Sequence, residues 1–314
     1  MLSAMSTDTD LTAPSRRAIL RWGSATAASV GLFGSAALTA CAGPSPAHSD
    51  PTDRGPDALV RLEEESGVRI GAVGISSAAR VAHRAEEAFP MCSLFKVLAV
   101  ASLLRERAYD DAYWAEPIPF GPADLVEDSP VTSATTTWAM SPTALADAAL
   151  RFSDNTAGNL LLAELGGPEA ITTFAADLGA ASTRLDRWEP ELNEATPGDL
   201  RDTSTPSDIA LLYRALLLED RAGVLTGARL RDWMLRNTTS AARIRAGLDG
   251  DVELADKTGA GSYGVVNDAG MLWSAGSDPV TLVILTRTDD PAAANDNEVV
   301  AEATRIIMSE LTRG

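Results

Sequence analysis

Strand-like and helix-like patterns are segregated along this chain, and that segregation limits the folds open to it. VRIGAVGIS (68–76) and AARVAHR (78–84) read as a hairpin of strands. Strand patterns return only near the C-terminus, in YGVVNDAGMLW and PVTLVILTR. Between them, over residues 93–247, ALADAALRF, TAGNLLLAEL, SDIALLYRALLL and LRDWMLRN repeat apolar residues at intervals of three and four, the period of a helix. DALVRLEEESG (57–67) and NEVVAEATRIIMSELTR add one helix at each end. The economical solution is an α/β fold in which both ends of the chain build one antiparallel sheet, flanked by the terminal helices, with an inserted all-α lobe. The sheet lobe takes 56–88 and 248–314, and the helical lobe 89–247. A crevice between the lobes is the expected place for a ligand.

One helix start stands out. FPMCSLFKVLAV (89–100) is apolar apart from Ser93 and Lys96, three residues apart and so on one helical face. A serine hydroxyl is a poor nucleophile unless a base or positive charge activates it. A lysine in a dry pocket can take or relay that proton, and a helix N-terminus aims backbone N–H groups at the same place. A surface serine and lysine would read the same way, so the pair alone does not decide the matter. Cys92 lies in the same run and is expected to be a buried free thiol. A cysteine nucleophile is disfavoured, because no histidine neighbours it in sequence.

The chain has two histidines, His48 and His83, the first in a Pro/Ser-rich stretch and the second in a strand. Histidine-based triads and multi-histidine metal sites are therefore disfavoured. A formal charge of −18 argues against nucleic acid or anionic lipid as a partner.

Residues 1–40 read as an address rather than a fold. SRRAILR (15–21) carries paired arginines, and SATAASVGLFGSAALTA (24–40) is small and apolar, short for a spanning helix. The pair fits twin-arginine export. LTAC ends at Cys41 and resembles a lipobox, in which Cys41 would be lipidated; ordinary cleavage and release fits as well. Residues 41–55 are a flexible tether rich in Pro, Ser, Asp and Gly. The protein is expected to be exported, held at the outer face of the cytoplasmic membrane or secreted.

Three further segments change the weight of Ser93 and Lys96. Ser153-Asp154-Asn155 joins two helical stretches, where Asp154 would also serve as a helix cap. Lys257-Thr258-Gly259 precedes Ala260 at a strand edge. The loop RWEPELNEATPGDLRD (187–202) carries Glu189 and Asn193. Each is ordinary alone; together, in this order, they are not.

Taken with Ser93-Leu94-Phe95-Lys96, these segments resemble the three motifs and the omega loop of class A serine β-lactamases, across 56–314. The lipobox and paired arginines suggest an actinobacterial-type exported member. The resemblance implies acylation of Ser93 by the β-lactam carbonyl. The backbone N–H groups of Ser93 and Ala260 would form the oxyanion hole, and Lys96 would support proton transfer. Ser153 would protonate the departing ring nitrogen, and Asn155 would bind the substrate side-chain amide. Lys257, Thr258 and Gly259 would line the carboxylate subsite. Glu189, held with Asn193, would activate the deacylating water. It implies a small-molecule β-lactam substrate, no cofactor or metal, and a monomer. A penicillin-binding D-alanyl-D-alanine peptidase, or a β-lactam sensor, shares the other motifs but lacks the loop with Glu189 and would acylate without turnover.

Two departures concern substrate. Many class A enzymes carry an arginine on the strand after Lys257-Thr258-Gly259; YGVVNDAG has none. Arg243 is the expected substitute, with Arg245 structural. Asp128 stands where relatives carry an aromatic at the rim of the site. Gly261 stands where some carbapenemases place a cysteine, so Cys92 cannot make that bridge. Arg187 and Asp202 are expected to close the loop as an ion pair.

Overall fold

The computed structural model describes residues 56–313. The expected export signal at 1–40, the expected tether at 41–55 and Cys41 lie outside these described residues. In chain order the elements are α1 (Asp57–Ser66), β1 (Arg69–Ile75), β2 (Arg80–His83), β3 (Phe89–Pro90), α2 (Phe95–Arg107), α3 (Asp111–Ala115), β4 (Ile118–Pro119) and β5 (Ala139–Met140). Then follow α4 (Pro142–Arg151), α5 (Asn155–Glu164), α6 (Glu169–Asp177), β6 (Thr203–Ser204), α7 (Pro206–Leu217) and α8 (Val224–Met234). The chain closes with β7 (Glu253–Gly261), β8 (Val265–Trp273), β9 (Val280–Arg287) and α9 (Asn297–Arg313).

Both ends of the chain meet in one antiparallel five-stranded sheet, in the order β2-β1-β9-β8-β7. The first hairpin pairs Ala72 with His83, and β1 joins the C-terminal strands through pairs such as Val73 with Val283. Helices from the chain termini cover one face, where Ile70, Leu282 and Ile284 pack with Val300 and Ile307. A Cβ on Gly74 would lie 2.4 Å from Ile307 Cγ2, so this helix-to-sheet approach requires glycine. The other face carries the helical lobe.

α2 is the axis of that lobe. Its first ten residues, Phe95 to Leu104, are all buried, which explains why the sequence is apolar all round. Each large apolar side chain there contributes about 1.5–3 kcal/mol on burial. Ser93 does not lie in the α-helix itself. It sits in a 3₁₀ turn, Cys92–Leu94, that feeds α2, with Cys92 at φ 48°.

Two short pairings were not expected from the sequence, since two residues cannot display a period. β4 pairs with β5, and β3 with β6 through Phe89–Ser204 and Pro90–Thr203. With the Met91 N–H donating to the Asp202 carbonyl at 2.8 Å, β3–β6 staples the exit of the 187–202 loop to the segment before Ser93.

Candidate active site

Six chain segments converge on one cavity of about 500 Å³. Ser93, Ser153, Asn155, Asn193, Thr258, Gly259, Ala260 and Arg243 line it, with Asp128 and Thr239 among the further wall residues. Lys96, Glu189 and Lys257 lie behind this lining, all fully or almost fully buried.

Lys96 is the centre of the cluster. Its Nζ is 2.9 Å from Ser93 Oγ, 2.7 Å from the Ser153 carbonyl, 2.6 Å from Asn155 Oδ1 and 3.0 Å from Glu189 Oε1. Donor arithmetic constrains what it does. The Ser153 carbonyl and Asn155 Oδ1 can only accept, so they occupy two of its hydrogens. The third position, a proton or a lone pair, faces both Ser93 Oγ and Glu189 Oε1. Ser93 Oγ also donates to Glu189 Oε1 at 3.2 Å. One proton can therefore move among serine, lysine and glutamate without any large motion.

The Ser153 segment is fixed by its neighbour. Asp154 caps α5 by accepting the Ala157 N–H at 2.8 Å, and also accepts the N–H groups of Val131 and Thr132 and the Thr132 hydroxyl. The cap expected at this tripeptide thus also pins the wall loop after Asp128. Ser153 adopts φ 58°, an unusual backbone for a residue with a Cβ. Its Oγ accepts from Lys257 Nζ at 2.9 Å. Burial, and then the positive charges of Lys96 and Arg243, hold the Lys257 ammonium well below the usual lysine range. Ser153 thus connects two lysines, one at its carbonyl and one at its hydroxyl.

Glu189 is 2% exposed. Its Oε2 accepts from Asn193 Nδ2 at 2.5 Å. Asn159 clamps its backbone, accepting the Glu189 N–H and donating to the Glu189 carbonyl, both at 2.9 Å. Arg187 and Asp202 form the expected pair at 2.6 Å, with Asp202 only 1% exposed. Asp202 Oδ1 also accepts the N–H groups of Asp186 and Arg187. This is a partly buried hub, not a surface pair. The loop then lies on β7 at Gly261, whose Cβ would come within 2.9 Å of both the Asn193 carbonyl and Cys92 Sγ. Cys92 itself is a buried free thiol, which burial pushes up.

β7 is the outer strand of the sheet, and its Thr258–Ala260 stretch lines the cavity. Gly259 packs against the nucleophile turn, with its Cβ position 3.0 Å from the Met91 carbonyl. Thr258 Oγ1 meets Thr239 Oγ1 at 2.5 Å.

Arg243 reaches the cavity but is tied down. Nε donates to Asn297 Oδ1, and Nη1 to the carbonyls of Gly259 and Asn267, each at 2.8 Å. Burial lowers its pKa from the usual arginine value. These bonds account for Nε and Nη1, leaving Nη2 as the part of the guanidinium available to a bound anion. Arg245 remains exposed and donates to the Val252 carbonyl, a structural contact. Asp128 is exposed at the rim, and its carbonyl accepts the Asn155 N–H.

The sequence reading missed Asn159, Asn267 and Thr239. Asn159 had a signal, since it follows Asn155 by four residues on α5 and so shares its face. Asn267 donates to the Pro90 carbonyl at 2.8 Å, and its Oδ1 accepts the Thr286 N–H. It holds the nucleophile turn to β8 across 177 residues of chain, and no local pattern could announce it.

Comparison with known proteins agrees with this geometry. The model of the β-lactamase enzyme family matches residues 57–311. β-Lactamase AST-1 of Nocardia asteroides is 46% identical over 255 residues, covering 81% of this chain and 82% of that one. The β-lactamase of Streptomyces lavendulae is 45% identical over 309 residues, covering 95% and 97%. Among solved structures, the β-lactamase from Streptomyces albus G superposes with a TM-score of 0.79 at 42% identity, covering 81% of this chain and 99% of that one.

Proposed function

We infer the division of labour in this site from one premise: the chain belongs to the β-lactamase enzyme family and is a serine hydrolase of β-lactam antibiotics. The observation that carries the residue assignments is the buried junction at Lys96, where Ser93, Ser153, Asn155 and Glu189 all meet one lysine nitrogen.

Ser93 Oγ attacks the lactam carbonyl. Its proton has two acceptors in reach, Lys96 and Glu189, which lie 3.0 Å apart, and either can take it. The carbonyl oxygen takes up negative charge and is met by the backbone N–H groups of Ser93 and Ala260. The C–N bond breaks, and the ring nitrogen takes its proton from Ser153, which is resupplied through Lys257 or Lys96. The product of this half is an acyl ester on Ser93. Glu189 then removes a proton from water, hydroxide adds to the ester carbonyl, and Ser93 Oγ leaves with a proton returned through Lys96. The net reaction adds one water across the amide and regenerates the site.

Thr258, Thr239, Lys257 and Nη2 of Arg243 form the grip on the substrate carboxylate. Asn155 orients the side-chain amide, and Asp128 borders the entrance. Export directed by residues 1–40, with Cys41 lipidated and the enzyme acting as a monomer, completes the proposal; intact mass of the cell-derived protein reads the lipid directly. Turnover of a chromogenic cephalosporin by the purified chain tests the chemistry. Repeated turnover is expected, abolished in Ser93→Ala. A single stoichiometric burst without further release would overturn the hydrolase reading in favour of a peptidase or sensor.

A further inference from the structure

β7 and β8 bury a second pair of acids outside the catalytic cluster. Asp256 is 1% exposed and Asp268 0%. The register sets Thr258 opposite Asp268 and Asp256 opposite Gly270, so the two acids are diagonal neighbours on one face of the sheet. Their outer oxygens are satisfied: Asp256 Oδ1 accepts from Asn237 Nδ2, and Asp268 Oδ2 accepts the Ile244 N–H, both at 3.1 Å. Their inner oxygens, Asp256 Oδ2 and Asp268 Oδ1, receive no donor from the rest of the protein. The register thus leaves two unpartnered buried oxygens on neighbouring acids of one sheet face. Two carboxyl oxygens, both acceptors, can satisfy each other only with a proton between them.

The groups facing the pair come from every neighbouring element. Lys257 lies beside Asp256 on β7, and Arg243 beside Asp268; Asn237 and Ser240 follow α8, and the unpartnered, buried Tyr213 hydroxyl approaches from α7. We propose that Asp256 and Asp268 hold one proton between them and, as a hydrogen-bonded acid pair, position the wall that grips the substrate carboxylate. Burial raises both carboxyls, and the Asp256 charge adds to the rise at Asp268, in the direction a proton held by the pair requires.

Two arms run from the pair to that wall. Asp256 holds Asn237, whose Oδ1 accepts the Thr239 N–H at 3.0 Å and the Thr239 hydroxyl at 2.8 Å; Thr239 in turn meets Thr258. Asp268 holds the Ile244 N–H, immediately after Arg243. One acid therefore sets the threonine pair and the other the arginine. The carboxylate role rests on the functional reading above; the shared proton does not.

Asp268→Asn is the informative variant, because an amide reproduces the protonated acid: its nitrogen donates to Asp256 and its oxygen accepts from Ile244. In the full chain at neutral pH, the infrared difference spectrum of native minus Asp268→Asn should contain a protonated-carboxyl C=O stretch. KM should stay within a few-fold of native in Asp268→Asn. It should rise roughly tenfold in Asp268→Ala, which strips Asp256 and Ile244 of a buried partner, with kcat moving less. If Asp268→Ala does not fold, Asn237→Ala severs the Asp256 arm from outside and should raise KM in the same way. Stability supplies a second readout. A carboxyl with a raised folded pKa stabilises at low pH, and that stability is lost as pH climbs through the folded pKa. The Tm advantage of Asp268→Asn over native should thus widen from about pH 5 to about pH 8. Absence of the carboxyl stretch, or an Asp268→Asn KM as damaged as that of Asp268→Ala, overturns the pair while leaving the hydrolase reading intact.

Discussion

Two stretches flank the reacting atoms, and they are held by different kinds of force. The nucleophile turn and α2 sit in apolar packing on every side, from Phe95 to Leu104. The loop at 187–202 has one short 3₁₀ turn, Glu191–Asn193, and exposes Leu200 at one end and part of Trp188 at the other. Its order comes from polar clamps: Asn159 on the Glu189 backbone, Asn193 on the Glu189 carboxylate, and the Asp202 hub at the exit. Hydrophobic burial is spread over many contacts and tolerates the loss of any one charge. A loop held by a few hydrogen bonds fails piece by piece. On the proposed mechanism, the acylating half of the reaction rests on densely buried chain and the deacylating half on a loop held by a few hydrogen bonds.

That contrast can be broken from either side. Lys96→Ala removes the junction itself and leaves Glu189 buried without its cation, so acylation should slow by on the order of 10²–10⁴-fold in burst kinetics. Leu98→Ala attacks the packing instead. It should cost about 2–5 kcal/mol of stability by denaturant titration, and the fraction that remains folded should show native ratios of acylation to deacylation. Asp202→Asn keeps an acceptor for the two N–H groups but loses the charge facing Arg187. A stability loss of about 1–3 kcal/mol is expected, with deacylation falling before acylation is touched; equal loss of both half-reactions would erase the distinction between the two stretches. Smallest are the arginines after α8. Arg243→Ala should raise KM roughly tenfold, whereas Arg245→Ala should change neither KM nor stability by more than about 0.5 kcal/mol.

The same contrast decides what was legible in the sequence. α2 announced itself because a helix apolar all round has one explanation, burial. The final helix was read to the residue, since its apolar positions keep a helical period from Asn297 to Arg313. The expected site residues were legible as short motifs of fixed chemical type: Ser93, Ser153, Asn155 and Glu189 gather at Lys96, and Lys257 joins them through the Ser153 hydroxyl. What could not be read were the supports whose partners are remote. Asn267 serves Pro90, Asp268 serves Ile244, and Thr203 pairs with Pro90. Such contacts leave no period and no local motif. Arg243 was half legible: its place at the cavity followed from the missing arginine on β8, but its three bonds to Asn297, Gly259 and Asn267 did not.

The central claim is that acylation and deacylation use separable parts of this site, joined at Lys96 and divided at Glu189. Intact-protein mass spectrometry of Glu189→Ala after mixing with benzylpenicillin tests it most directly. A long-lived adduct of one penicillin per chain, formed on Ser93 and persisting while native protein has returned to its free mass, is the predicted result. Native rates of steady-state turnover in Glu189→Ala, with no accumulated adduct, would contradict it.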